Sequence, residues 1–192
     1  MSNFVFTRTD EKVGEVSLRP VDPAADAELL HSWLTNPKCS FWGMLDYSLD
    51  DVRRRFSEIA AGSTHEDFIG MHDGKPACLF ERYEPASELG PDVYTPQAGD
   101  KSIHFLAAPT DEPVPGFTIA GIKTMVEFLL DDPAVLRVVG EPDVRHRAML
   151  KLVCSVGFKI EKEIDLPDKR AYLCTATREE YYAAIDAHAV NR

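Results

Sequence analysis

A lone histidine, His104, interrupts the apolar run SIHFLAAP (102–109), and farther along the chain EPDVRHR (141–147) gathers Glu141, Asp143, Arg145, His146 and Arg147 around Pro142. An imidazole gains and loses a proton near neutral pH, so His104 can serve as a general base. It can equally be a hydrogen-bonded structural histidine. The basic trio, with Lys151 after it, suits a phosphate-bearing ligand or simply a solvated helix face. FWGM (41–44) is too apolar for a free loop, so Phe41, Trp42 and Met44 either wall an alkyl or acyl chain or pack in the core. If the substrate carries an ammonium group, Asp46, Glu81 and Glu84 are the candidates to receive it, with little to choose among them.

Bulk composition narrows the function class. The chain has 192 residues with 44% hydrophobic and a net charge of −11. That charge argues against nucleic acid as a partner, because affinity there comes largely from neutralising phosphates. It suits a small cationic substrate, though an acidic surface also serves solubility. No apolar run approaches the roughly 20 residues of a membrane helix, and no secretory signal is expected at the N-terminus, so the reading is cytoplasmic with no membrane partner. Cys39, Cys78, Cys154 and Cys174 lie far apart in apolar contexts and read as core thiols; no metal site and no disulfide framework are expected. Cys39 alone stays open as a nucleophile.

The elements that must position these residues follow from periodicity and punctuation. GEVSLRPVD (14–22) alternates as a strand, and Asp22-Pro23 reads as the N-cap and first position of a helix carrying Leu29, Leu30, Trp33 and Leu34. Ser48 with Asp51 forms a capping-box pattern before Val52, Phe56 and Ile59. DFIGMHDGKPACLFERYE reads as a hairpin turning at Asp73-Gly74. A loop over 85–100, a strand over 101–109 and a helix with Ile122, Met125, Val126 and Leu129 on one face come next. LRVVGE is a strand, residues 145–156 a helix, and FKIEKEID with RAYLCTAT a last hairpin before a short C-terminal helix. The order β-α-α-β-β-β-α-β-α-β-β predicts a mixed α/β single domain over 1–192, with one β-α-β crossover joining strands 101–109 and 136–141. Alternation puts His104 on one face with Ser102 and Leu106, opposite Ile103 and Phe105.

This order over roughly 14–178, ending in LKLVCSVGF (150–158), resembles the GNAT acyltransferases. HSWLTNPKCSFWGM (31–44), SIHFL (102–106) and EPDVRHRAMLKLVCSVGF (141–158) resemble more narrowly their hydroxamate-siderophore branch, most nearly the N-hydroxycadaverine acyltransferases of desferrioxamine synthesis.

The resemblance implies a central mixed twisted sheet flanked by helices, with acetyl-CoA or succinyl-CoA as co-substrate and no permanently bound cofactor. It implies direct transfer to the hydroxylamine nitrogen of an N-hydroxylated diamine. His104 would be the base, with Glu141, or Asp143 as second candidate, its carboxylate partner. The backbone N–H groups of Phe105 and Leu106 would be the oxyanion donors, and Gly116, Phe117, Thr118, Arg145, His146, Arg147 and Lys151 would meet CoA. The chain departs from the family where a tyrosine general acid is common, near Val153; it also has only Gly116 in the phosphate loop, and His146 where Asn is commoner. An N-hydroxylysine acyltransferase, an aminoglycoside or polyamine N-acetyltransferase, and a non-catalytic acyl-CoA sensor remain open, and oligomeric state is not readable.

Overall fold

The computed structural model describes residues 4–190. In chain order the elements are β1 (Phe6–Asp10), β2 (Gly14–Pro20), α1 (Ala27–Leu34), a 3₁₀ helix (Pro37–Trp42), α2 (Leu49–Ala61), β3 (His65–His72), β4 (Lys75–Tyr83), the single turn α3 (Pro85–Glu88), β5 (Asp100–Ala107), α4 (Phe117–Asp131), β6 (Arg137–Gly140), α5 (Arg147–Ser155), β7 (Lys159–Asp165), β8 (Arg170–Thr177) and α6 (Arg178–Val190). The architecture is the mixed α/β one the periodicity predicts.

The chain forms two compact units. The first comprises the chain up to Arg82 with His104–Met125; the second comprises Tyr83–Ile103 with the chain from Val126 onward. Strands follow the order β1-β2-β3-β4-β5 in the first and β5-β6-β8-β7 in the second, β5 passing from one to the other.

In the first unit, the hairpin turns at Asp73 (φ 48°) and Gly74 (φ 77°), the left-handed pair that an Asp-Gly turn supplies. Beyond the end of β5, the Ala108 amide donates to the Ala77 carbonyl at 2.9 Å, beside β4. Leu30, Trp33, Leu34, Val52, Phe56, Ile69, Leu79 and Leu106 form one core between α1, α2 and the strands. Leu106 thus faces α1 and α2. Phe105 faces the other way, its ring so close to Gly121 of α4 that a Cβ there would lie 2.7 Å from it. The alternation along β5 is as predicted. The capping box at α2 is also present: Ser48 Oγ accepts from the Asp51 amide at 3.2 Å and the Asp51 carboxylate accepts from the Ser48 amide at 3.0 Å.

Three features differ from expectation. β1 goes beyond the predicted elements, pairing antiparallel with β2. Helix α1 starts at Ala27, because the Asp22 carboxylate instead accepts from the Ala24 and Ala25 amides in a local turn. Cys154 is exposed, whereas Cys39, Cys78 and Cys174 are buried thiols. Burial pushes Cys78 up to about 12 and raises Cys39, which argues against Cys39 as a nucleophile.

In the second unit β5 and β6 pair in parallel, with Asp100 opposite Arg137 and Ser102 opposite Val139, as the single crossover requires. Gly157 ends α5 at φ +95°, and a Cβ there would lie 2.6 Å from the Glu180 carbonyl oxygen of α6. This glycine therefore both stops a helix and lets a second one pass close. Gly157→Ala is expected to cost about 1–2 kcal/mol from the left-handed backbone alone, with the steric clash in addition. A urea titration reads the loss.

Candidate functional site

His104 sits on β5 with its side chain one-third exposed. Its Nδ1 lies 3.0 Å from Oε2 of Glu81, a fully buried residue of β4. Burial alone would raise the Glu81 carboxyl, but the His104 hydrogen bond and the charges of His104, Arg55 and His65 outweigh it, leaving Glu81 below the usual carboxylate range. An ionised Glu81 can only accept, so the neutral ring carries its proton on Nδ1 and its lone pair on Nε2. That is the tautomer in which Nε2 can take a proton.

Around this pair stand the other first-unit groups. Arg55 of α2 brings Nη2 within 3.4 Å of Glu81 Oε1. His65 of β3 brings Nε2 within 3.7 Å of Glu81 Oε2 and 3.3 Å of Asp67 Oδ1. Trp42 meets the His104 ring edge-on, centroids 6.0 Å apart, while Phe41 is exposed and Met44 is buried in the core. An open groove of about 480 Å³ is lined by Asp46, Tyr47, Asp51, Arg54, Arg55 and Glu58. Arg55 borders both the groove and Glu81.

Glu81, which the sequence offered as a partner for an ammonium, is therefore a carboxylate hydrogen-bonded to His104. Glu141, in the second unit, is buried and accepts from the Tyr83 hydroxyl. Asp143, the second candidate for that carboxylate, is held by Arg145 through its amide at 2.8 Å, Nε at 2.9 Å and Nη2 at 2.6 Å, which keeps its carboxyl down at about 2. Glu84 pairs with Lys101.

The predicted CoA-binding residues fall into two groups. At the start of α4, Gly116 is exposed with φ +86°. The Phe117 amide donates to the Val114 carbonyl, and its ring stacks obliquely on His72 at 5.4 Å; Thr118 is half-buried in the first turn. Phe117 is thus a packing residue. Before α5, Arg145 is tied to Asp143, and His146 caps the helix, its Nδ1 accepting from the Met149 amide at 3.3 Å. Burial lowers the His146 imidazole below its ordinary value. Both are occupied within the joint itself. Arg147 and Lys151, four apart on α5, present an exposed basic edge.

His65, Asp67 and Arg55 were not among the sequence candidates. The signal lay in the hairpin: stacking of Phe68 on Phe80 and pairing of Glu66 with Arg82 set Asp67 and Glu81 on one face. Two acids facing each other in a core demand a cation, and two histidines and an arginine surround them.

Comparison with known proteins identifies relatives and a family. The chain is 25% identical over 184 residues to the N(6)-hydroxylysine O-acetyltransferase of Escherichia coli, covering 94% of this chain but 58% of that protein. It is 24% identical to the N-hydroxyputrescine acetyltransferase of Acinetobacter baumannii, covering 86% of this chain and 79% of that one. The fold matches that of AAC(6')-Ib in complex with paromomycin and acetyl-CoA, with TM-score 0.77, 22% identity, and 87% and 96% of the two chains covered. A family model described as an acetyltransferase (GNAT) domain matches residues 22–166, well over half of the sequence, and the chain therefore belongs to the GNAT acetyltransferase family.

Proposed function

We propose that the protein is an acyl-CoA-dependent N-acyltransferase that acylates the hydroxylamine nitrogen of an N-hydroxylated amine, in the synthesis of a hydroxamate siderophore. The observation that carries this reading is the His104–Glu81 pair beneath Trp42. A hydroxylamine nitrogen is mostly unprotonated at neutral pH, so a single imidazole supported by one carboxylate suffices as base. The nitrogen attacks the thioester carbonyl, His104 Nε2 accepts its proton, and the C–S bond breaks to release CoA thiolate, which water protonates. No covalent enzyme intermediate forms. The Phe105 and Leu106 amides are assigned to the developing oxyanion, and Gly116, Thr118, Arg147 and Lys151 to the CoA phosphates.

The groove supplies the amine's far end. Asp46 and Glu58 suit the ammonium of an N-hydroxydiamine such as N-hydroxycadaverine. A second reading rests on Arg54 and Arg55 in the same groove: a zwitterionic N-hydroxy amino acid would find partners for both of its charged groups. The names of the relatives from E. coli and A. baumannii support one reading each.

The test is CoA release, followed with a thiol reagent. N-hydroxycadaverine, N-hydroxyputrescine and N-hydroxylysine are each offered with acetyl-CoA and with succinyl-CoA, beside the parent amines at the same pH. Turnover with a hydroxylamine at least tenfold above its parent amine is the expected result. Preference for plain amines would move the protein to the polyamine or aminoglycoside class. Tight CoA binding with no release would make it a sensor.

A further inference from the structure

We propose that His65 and Asp67 are positioning residues for His104, acting through Glu81, in a buried strip of proton-holding groups ordered Asp67–His65–Glu81–His104. The proposal rests on the reading of His104 as general base.

The strip crosses three strands, with His65 and Asp67 on β3, Glu81 on β4 and His104 on β5. One oxygen, Glu81 Oε2, faces two imidazoles, His104 Nδ1 at 3.0 Å and His65 Nε2 at 3.7 Å. Its partner oxygen faces Arg55 from α2. Asp67 is the end of the strip. Its side chain is 3% exposed, and neither oxygen accepts a hydrogen bond of regular geometry among the described residues; His65 Nε2 lies 3.3 Å from Oδ1.

Two carboxylates buried this close cannot both stay charged without positive charge between them. Arg55 provides one such charge. The second is a proton shared by His65 and Asp67, held either as a neutral pair or as imidazolium and carboxylate. Burial pushes Asp67 up to about 6, with the charge of Glu81 adding to it against the pull of His65, so this proton is mobile near neutral pH.

The consequence reaches the reaction through a competition. Whatever hold His65 has on Glu81 Oε2 is lost to His104, whose imidazolium that oxygen must stabilise once the substrate proton arrives. Asp67 limits the competition by giving His65 another partner. His65, Asp67 and Glu81 also form a ligand set of the kind that holds a transition metal, with ligand atoms within 4.8 Å of one another. Against a dication stands the Arg55 guanidinium, already on one of the two carboxylates.

The experiment is the pH dependence of kcat/KM for the best hydroxylamine in wild type, Asp67→Asn and His65→Gln. His104 acts only when neutral, so its titration is the acid limb. Asp67→Asn removes a buried negative charge and turns His65 wholly onto Glu81, so the limb is expected to move to lower pH by about half a unit to one unit. His65→Gln returns Glu81 to His104, and the limb is expected to move up by a similar amount. Opposite shifts with an unchanged KM for acyl-CoA are a signature that simple loosening of the core does not produce. If both variants stay folded by circular dichroism and leave the limb in place, or shift it the same way, the proposal fails. It also fails if dialysis against EDTA moves the wild-type limb, because the strip would then be a metal site. Wild-type rates in His104→Ala would instead sink the base assignment, so the two failures are distinguishable.

Discussion

His104→Ala is expected to lower kcat by about 10²–10⁴-fold, the range that a positioned general base contributes. The weak basicity of a hydroxylamine puts the effect toward the lower end of that range. Glu81→Gln keeps the shape of the side chain but removes the charge that stabilises the imidazolium, and a tenfold loss or more, about 1.4 kcal/mol, is expected. Since Glu81 acts through His104, adding Glu81→Gln to His104→Ala should lower the rate little further. The comparison that decides between the two carboxylates is Glu81→Gln beside Glu141→Gln. Both side chains are buried, so each variant needs its melting temperature measured with its turnover. Turnover should fall more with Glu81. If instead Glu141→Gln matches His104→Ala while Glu81→Gln leaves turnover near wild type, the pair drawn from sequence is the working one.

Sequence carried much of the frame because its signals were local. Ser48 with Asp51, Asp73 with Gly74, and Gly157 each specify a backbone event within four residues, and each occurs where expected. His104 was likewise found from one polar residue in an apolar strand. Its hydrogen bond to Glu81 was not, because strand neighbours are set by topology and not by spacing along the chain. β5 lies parallel to β6, which the crossover rule supplies, but Glu81 comes from β4 on the other side. The charges at 141–147 are partly bound to one another and to the adjacent helix. Asp143 and Arg145 satisfy one another two residues apart, and His146 spends a ring nitrogen on the amide of Met149, so a cluster that looks like ligand chemistry is partly joint-building. β1 escaped notice because its alternation, FTRTD, is mostly polar, as suits a strand at the edge of a sheet.

The strand that carries His104 begins at a second charged site, whose loss should show in stability. Asp100 opens β5 with its side chain 2% exposed, and Arg137 opens β6 directly opposite. Arg137 Nε donates to Asp100 Oδ1 at 2.8 Å and Nη2 to Oδ2 at 3.0 Å, while the Tyr94 hydroxyl also donates to Asp100. This bidentate pair fixes the register of the parallel strands. Burial raises the Asp100 carboxyl, but the hydrogen bonds of Arg137, Tyr94 and the Gln97 amide more than offset it, so it lies below the usual range. Burial, with the hydrogen bond and charge of Asp100, pushes Tyr94 up to about 12. Arg137→Ala would leave a buried carboxylate without its main counter-charge, at an expected cost of about 3 kcal/mol, the lower end for a broken buried pair because Arg137 is 18% exposed. Arg137→Lys should recover only part of that, since an ammonium cannot make the two parallel bonds. The pH dependence has a definite sign. A carboxyl depressed by folding stabilises the protein above its unfolded pKa, near 3.9, and that contribution is lost as pH falls through the lower folded value. Urea titrations at pH 7 and at pH 3 should therefore show the Arg137→Ala deficit narrowing in acid. A deficit of the same size at both pH values would mean that the arginine's aliphatic packing, and not the ion pair, holds the two strands in register.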